Sequence, residues 1–321
     1  MTAPIELIGL TKAYGRRRGI VDVDVEVREG EVFGFLGPNG AGKTTTIRCL
    51  AGIVRPTAGR ALVFGRDAWA DAEAVHRRMA SVGSDPGYLG ELTAAELFRH
   101  LSRLRVMAPD AWRPIAERIE LDPSVQLRKL SRGNRQKVAV VDAFMGEEPL
   151  LVMDEPSSGL DPLMQREFLG LVAEARAAGR TVFLSSHNLT EVERACDRVG
   201  IVREGLLREV TSVATLLASH ARSVNLLLDA PAPAETFDLP NVQVLAATGR
   251  EVHLMAQGDV NPLLGRIASL RVIDVSITTP DIEDIFLSHY DARISGVEDP
   301  PAPPAYGVAD GSPPDGGGVA R

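Results

Sequence analysis

Two cysteines, Cys49 and Cys196, are all that the 321 residues contain. They stand far apart, with no second Cys or His at metal-ligand spacing, which argues against a disulfide framework or a zinc site and leaves two reduced thiols. No segment reaches the roughly 18–20 uninterrupted apolar residues that a membrane span needs, so any role at a membrane requires a partner that spans it. Met1–Leu10 lacks a basic stretch followed by a long apolar run and does not read as a secretory signal. Positive charge is not in excess either. Lys and Arg number 35 against 43 Asp and Glu, a net charge of −8 that argues against a general nucleic-acid surface. The short clusters Arg16–Arg18 and Arg77–Arg78 read as solvated faces.

What is present points to a full-sized globular core with a smaller companion. The hydrophobic fraction of 45% and charged fraction of 24% are those of a soluble protein that folds without staples. Ile5–Leu10 and Val21–Val27 read as strands, the second through valines alternating with acidic residues. Val32–Leu36 is a short apolar strand followed by a glycine-rich loop and a helix from Lys43 to about Gly52. Ala61–Phe64 and Met79–Val82 read as strands around a helix at Asp71–Arg78. Thr93–Met107 and Ala111–Ile119 carry helical spacing, so a mostly helical insert is predicted at about 88–130. Strands Leu150–Met153 and Thr181–Leu184 flank a helix over Leu163–Ala178, the βαβ order that implies a parallel sheet. From about 211 to 295 the pattern becomes a small α+β domain: a helix at Val213–Ser219, strands Ser223–Leu228, Val242–Ala246 and Val252–Ala256, a helix at Asn261–Ser269, a strand at Val272–Ile277 and a last helix at Ile282–Tyr290. Residues 296–321, rich in Pro and Gly and poor in apolar residues, read as a disordered tail.

The chemistry lies in three places. Gly37-Pro-Asn-Gly-Ala-Gly42-Lys43-Thr44 fits G-x-x-x-x-G-K-[ST] and sits between a predicted strand and a predicted helix, the context in which that pattern cradles nucleotide phosphates. Its glycines let backbone N–H groups turn inward as an anion nest, Lys43 brings a cation to the β- and γ-phosphates, and the Thr44 hydroxyl suits Mg²⁺. Leu150-Leu-Val-Met-Asp154-Glu155 delivers two carboxylates at the end of a buried strand, where open α/β sheets bind ligands. Asp154 is placed to hold Mg²⁺, and Glu155 to take a proton from an attacking water.

The third place is Leu130-Ser131-Arg132-Gly133-Asn134, ahead of the Asp154 strand, which resembles the signature loop of ATP-binding cassette proteins. The resemblance covers about Ile5 to Glu209. It implies a P-loop NTPase core of that type over residues 1–210, with an antiparallel β subdomain and a helical subdomain. It further implies that Ser131 and Gly133 complete the ATP site of an opposite subunit in a homodimer; by its own chemistry Ser131 is equally a helix N-cap. Nucleotide contacts are implied over Gly37, Pro38, Asn39, Gly40, Ala41, Gly42, Lys43, Thr44 and Thr45. Tyr14 resembles the aromatic that stacks on adenine, Ser158-Gly-Leu-Asp161 the loop crossing the dimer interface, and His187, in Ser185-Ser-His-Asn, the switch histidine near the γ-phosphate. Where the family usually carries a Gln beside Mg²⁺, Ser84 stands, with a shorter reach; Arg132 and Asn134 also depart from the usual signature.

Thr279-Pro-Asp-Ile-Glu-Asp-Ile-Phe-Leu287 resembles a closing segment of ATPase subunits from drug- and antibiotic-resistance exporters. By physics it is an amphipathic helix, and the domain carrying it suits dimer stabilisation or substrate sensing. The expectation is an ATP- and Mg²⁺-dependent hydrolase powering export of a drug-like, antibiotic or lipid substrate through a separate multispanning permease. It would lie in the cytoplasm, peripheral on the inner face of the membrane through that permease, with no nucleic-acid partner. Two rivals remain: a soluble ATPase of this type, which typically carries two cassettes or a long coiled-coil or zinc insert, and a weakly hydrolysing switch.

Overall fold

The valine alternation builds one inner face. In a computed structural model describing residues 2–15, 17–83, 90–219 and 222–278, strand β2 (Arg17–Val27) buries Val23, Val25 and Val27 and turns Asp22, Asp24 and Glu26 outward. It pairs antiparallel with β1 (Ile5–Tyr14), β1 pairs with β4 (Ala58–Val63), and the short β5 (Arg66–Asp67) completes this first sheet. β1 continues past the predicted Leu10 because register shifts and Gly9 at φ 55° interrupt its alternation while leaving it paired.

The second sheet has the order β10 (Leu206–Ser212), β9 (Arg198–Arg203), β3 (Val32–Leu36), β8 (Thr181–Ser186), β7 (Leu150–Asp154), β6 (Met79–Val82). All but β10 are parallel to one another. Strands β3, β7 and β8 are buried along their whole length, which is why they read as unbroken apolar runs. The hairpin β9–β10 lies where no strand is predicted; its turn, Glu204–Gly205, has both residues at positive φ, the geometry of a tight hairpin. β10 ends at Ser212, beyond the predicted boundary at 210.

Helix α1 (Lys43–Leu50) lies in the core that these two sheets share: Ile47, Cys49 and Leu50 pack with Ile5, Val25 and Val63 of the first sheet and Phe33, Phe35 and Phe183 of the second. The Phe183 ring stacks 5.7 Å from Phe33 and packs, tilted, 5.5 Å from Phe35. After the short α2 (Ala72–His76), the predicted helical insert contains α3 (Ala94–Leu104), started by a Thr93–Glu96 capping box, and α4 (Arg113–Arg118). Arg105 at the end of α3 reaches Asp142 at 2.7 Å, tying the insert to α5 (Arg132–Phe144). α6 (Pro162–Ala177) packs against β8, and α7 (Leu189–Ala195) follows it.

α8 (Val213–Ser219) leads to a third, antiparallel sheet, β12 (Val242–Thr248), β13 (Glu251–Ala256), β11 (Arg222–Leu228), β14 (Val272–Thr278), with α9 (Asn261–Ala268) packing Leu263 and Ile267 onto it. Its apolar cluster, centred on Val224, Leu254 and Phe237, is distinct from the first. The segment Thr279–Leu287, the helix predicted at Ile282–Tyr290 and the tail at 296–321 lie outside the described residues.

Both cysteines are free and buried. Burial pushes the Cys49 thiol up to about 11 and raises Cys196 well above the ordinary range. No helix among the described residues is long and apolar enough to cross a membrane. Phe183→Ala should remove the ring that joins Phe33 to Phe35 and lower unfolding free energy by about 3–5 kcal/mol, read as a shift in a urea unfolding curve.

Candidate functional site

Parallel pairing brings the sequence motifs to one edge of the second sheet. β3 ends at Leu36, directly beside Ser186 at the end of β8, and Asp154 at the end of β7 lies beside Ser185. The loop Gly37–Gly42 leaves β3 and feeds α1 at Lys43. Two of its glycines are dictated by space. A Cβ at Gly37 would lie 2.3 Å from the Val202 carbonyl oxygen, and one at Gly42, where φ is 110°, would lie 2.6 Å from Ile20 Cγ2. The loop is thus packed too tightly for side chains at these two positions, and it leads into the N-terminus of α1, whose free N–H groups suit phosphate oxygens.

Lys43 is held across this loop. Its Nζ donates to the carbonyl of Gly37 at 2.6 Å and of Pro38 at 3.2 Å, and lies 3.0 Å from Glu155 Oε1, with the side chain only 5% exposed. Glu155, the residue after β7, adopts φ 50°, which aims its carboxylate back at the loop. Its Oε2 meets His187 Nδ1 at 2.5 Å, and His187 is itself half exposed. The cation and the histidine converge on the two oxygens of one carboxylate. Asp154 is 1% exposed, and its Oδ1 accepts from the Ser185 hydroxyl at 2.7 Å.

Lys43, Glu155 and His187 open on a cleft of about 700 Å³, and Asp154 lies behind its lining. Tyr14, Asn39, Gly40, Thr44 and Thr45 contribute to its walls together with Lys43, Glu155 and His187. Tyr14 is 45% exposed at the cleft, and Lys12 Nζ lies 5.4 Å from its ring centre. The Thr44 hydroxyl and the Asp154 carboxylate are hard oxygen donors suited to Mg²⁺, and no cluster of His, Cys, Asp and Glu among the described residues forms a self-sufficient metal site. A cation completed by nucleotide phosphates fits that donor set.

The remaining predicted residues divide. Ser131 caps α5, its Oγ accepting from Asn134 N at 3.3 Å, and neither it nor Gly133 lines this cleft, although Arg132 does. Gly133 packs under the Gly159 carbonyl, where a Cβ would come within 2.6 Å. Asp161 caps α6, accepting from Leu163 N and Met164 N at 3.0 Å each, and does not reach the cleft. Ser84 lies outside the described residues.

Three residues that the motifs did not single out hold the site from behind. Ser185 touches both acids, donating to Asp154 and accepting from Glu155 N at 3.0 Å. Gln136 of α5, 2% exposed, donates to the Pro156 carbonyl at 2.9 Å and so ties the signature helix to the turn after Glu155. Glu191 of α7 accepts from the Ser186 hydroxyl at 2.5 Å. The available signal was a polar residue at a position the surrounding pattern marks as buried.

Burial pushes the Glu191 carboxyl above its ordinary value of 4.5, against the Ser186 hydroxyl, and the charge of Glu155 adds to the rise. A carboxyl with a raised pKa in the folded state binds its proton more tightly when folded. Its favourable contribution is thus complete below the unfolded value and is lost as pH rises through the folded one. Glu191→Gln keeps an acceptor for Ser186 and removes that dependence, so the variant should melt higher than the parent at about pH 8 and lose this advantage near pH 4.5, as scanning calorimetry would read. Gly42→Ala should cost at least about tenfold in affinity for a fluorescent ATP analogue, since the methyl group would sit at a φ of 110° and meet Ile20 Cγ2 at 2.6 Å and the Gly19 carbonyl at 3.0 Å.

Comparison with known proteins agrees with this geometry. The family model described as ABC transporter matches residues 20–158. The bacitracin transport ATP-binding protein BcrA of Bacillus licheniformis is 31% identical over 298 residues, covering 89% of this chain and 97% of that protein. The uncharacterized ABC transporter ATP-binding protein YhcH of Bacillus subtilis (strain 168) is 28% identical over 293 residues, covering 89% and 96%. A solved ATP-binding subunit of an ABC transporter superposes with a TM-score of 0.61 at 30% identity, over 66% of this chain and 91% of that one. The dimeric ATP-binding cassette MJ0796 bound to ADP and Pi shares the fold, with a TM-score of 0.60 at 20% identity over 65% and 98%. With a relative matched along nearly its whole length and a phosphate cradle, two acids and a histidine on one sheet edge, the chain belongs to the ABC transporter ATP-binding proteins.

Proposed function

We propose that this chain hydrolyses ATP as one half of a homodimer and drives export of a drug-like, antibiotic or lipid substrate through a separate multispanning permease. The observation that carries the hydrolytic part is the convergence of Lys43 and His187 on Glu155. In this reading Glu155 takes a proton from a water whose oxygen attacks the γ-phosphorus. The new P–O bond forms as the bond to the ADP oxygen breaks, and Lys43 neutralises charge on the phosphate oxygens. His187 fixes the rotamer of Glu155 and, being half exposed, can pass the proton to solvent. Thr44 and Asp154 would hold Mg²⁺, which supplies charge neutralisation at the phosphates.

The division of the predicted residues supports the dimer. Ser131 and Gly133 stand at the N-terminus of α5 without lining their own cleft, where a helix end favours anions, and in a second copy they would cap its γ-phosphate. The exporter assignment draws on the bacitracin transport relative. A permease partner would hold the chain at the cytoplasmic face of a membrane, and the third sheet, with its own core, reads as an accessory domain.

Glu155→Gln should still bind ATP while phosphate release falls at least about 100-fold, and it should run as a dimer at saturating MgATP in size-exclusion chromatography. A monomer under those conditions would count against the shared site. Affinity purification from detergent-solubilised membranes should recover a multispanning partner; recovery of ribosomes or nucleic acid instead would refute the exporter role.

A further inference from the structure

Ser185 is the penultimate residue of β8, following the apolar run Val182, Phe183 and Leu184, and its side chain is completely buried. A hydroxyl in that position is costly unless its hydrogen bonds are made. Both are made, and both go to the consecutive acids of the site: the hydroxyl donates to Asp154 Oδ1 at 2.7 Å and accepts the N–H of Glu155 at 3.0 Å. The β7–β8 register puts Ser185 directly beside Asp154, so these contacts are a property of the sheet and not of a mobile loop.

The consequences for the two acids differ. Asp154 has one carboxylate oxygen fixed, which sets the direction in which the other can offer its lone pairs. Glu155 has its backbone fixed at φ 50°, a conformation unfavourable for a residue with a Cβ and stable only when its surroundings hold it. Two residues further along the chain His187 takes Glu155 Oε2, and Lys43 lies at Oε1. The end of β8 therefore grips Glu155 at both its backbone and its carboxylate. Ser186, between the two, turns to Glu191 instead.

We propose that Ser185 is a positioning residue for the reaction: one buried hydroxyl orients the carboxylate that would hold Mg²⁺ and the backbone of the residue that would take the proton. This rests on the roles assigned to Asp154 and Glu155 above. Substitution of groups that orient a metal-ligating carboxylate typically costs 10–100-fold in metal affinity or activity.

The test uses the full chain in two backgrounds. In Glu155→Gln, where turnover is blocked, Mg²⁺ is titrated at fixed ATP and binding is followed by the rise in melting temperature. Adding Ser185→Ala should raise the Mg²⁺ midpoint by roughly tenfold or more, with ATP affinity in EDTA unchanged. In the otherwise native chain, Ser185→Ala should lower kcat by roughly 10–100-fold while KM for ATP moves by no more than about twofold, and Ser185→Thr, which keeps the hydroxyl, should recover most of the loss. An unchanged Mg²⁺ midpoint with an unchanged kcat overturns the proposal. So does a loss of ATP affinity in EDTA together with a lower melting temperature in the absence of nucleotide, which would make Ser185 a merely structural residue. A native chain that binds MgATP without turning it over would refute the hydrolytic reading alone, and the Mg²⁺ midpoint would still decide the role of Ser185.

Discussion

Parallel hydrogen bonding among β3, β8 and β7 is the constraint from which the rest of the molecule follows. Parallel strands finish on the same edge, and their register sets the height of each terminal group: Leu36 beside Ser186, Ser185 beside Asp154. A shift of one residue in any of these pairings would turn the terminal polar groups to the opposite face of the sheet. The apolar bodies of the strands resist such a shift because both faces are covered, with the Phe33–Phe183–Phe35 stack marking the face toward α1. Packing energy in the middle of the sheet is thus what holds the geometry at its edge.

That edge concentrates charge in a place largely closed to water. Removing an ammonium and a carboxylate from water costs several kcal/mol per ion, and their mutual attraction offsets this only with further hydrogen bonds. Lys43 obtains them from two loop carbonyls, and Glu155 from His187 and from Ser185 at its backbone. The result is a set of dipoles and charges fixed before any nucleotide arrives, the arrangement that reduces reorganisation during a reaction in which charge moves between oxygens. Gln136 extends this rigidity to α5, so the signature helix and the turn after Glu155 share a direct hydrogen bond.

The phosphate loop and the two acids were legible in the sequence because each is a contiguous pattern whose spacing carries its own geometry. The strand–loop–helix at Val32–Leu50 and the apolar strand before Asp154 need no knowledge of partners. Ser185 and Gln136 were not legible, because their roles depend on what lies across the sheet or beneath the helix. Ser131 was readable as a cap, and the structure makes it one. Asp161 reads in the sequence as part of a loop crossing a dimer interface, and within one chain its carboxylate caps the first turn of α6, a local use that any Asp before a Pro-initiated helix can have. The β9–β10 hairpin escaped because Glu204-Gly205 is a weaker turn signal than Asn-Gly or Asp-Gly, whereas β1 hid its full length behind its bulges.

The two buried thiols have a practical corollary. With desolvation holding both in the protonated form, neither Cys49 nor Cys196 offers the nucleophile that alkylating reagents and oxidants require. A single cysteine introduced on the surface should therefore react with maleimides well ahead of either native thiol. Spectroscopic labels can then be attached on either side of the cleft without first stripping the protein of its own sulfur.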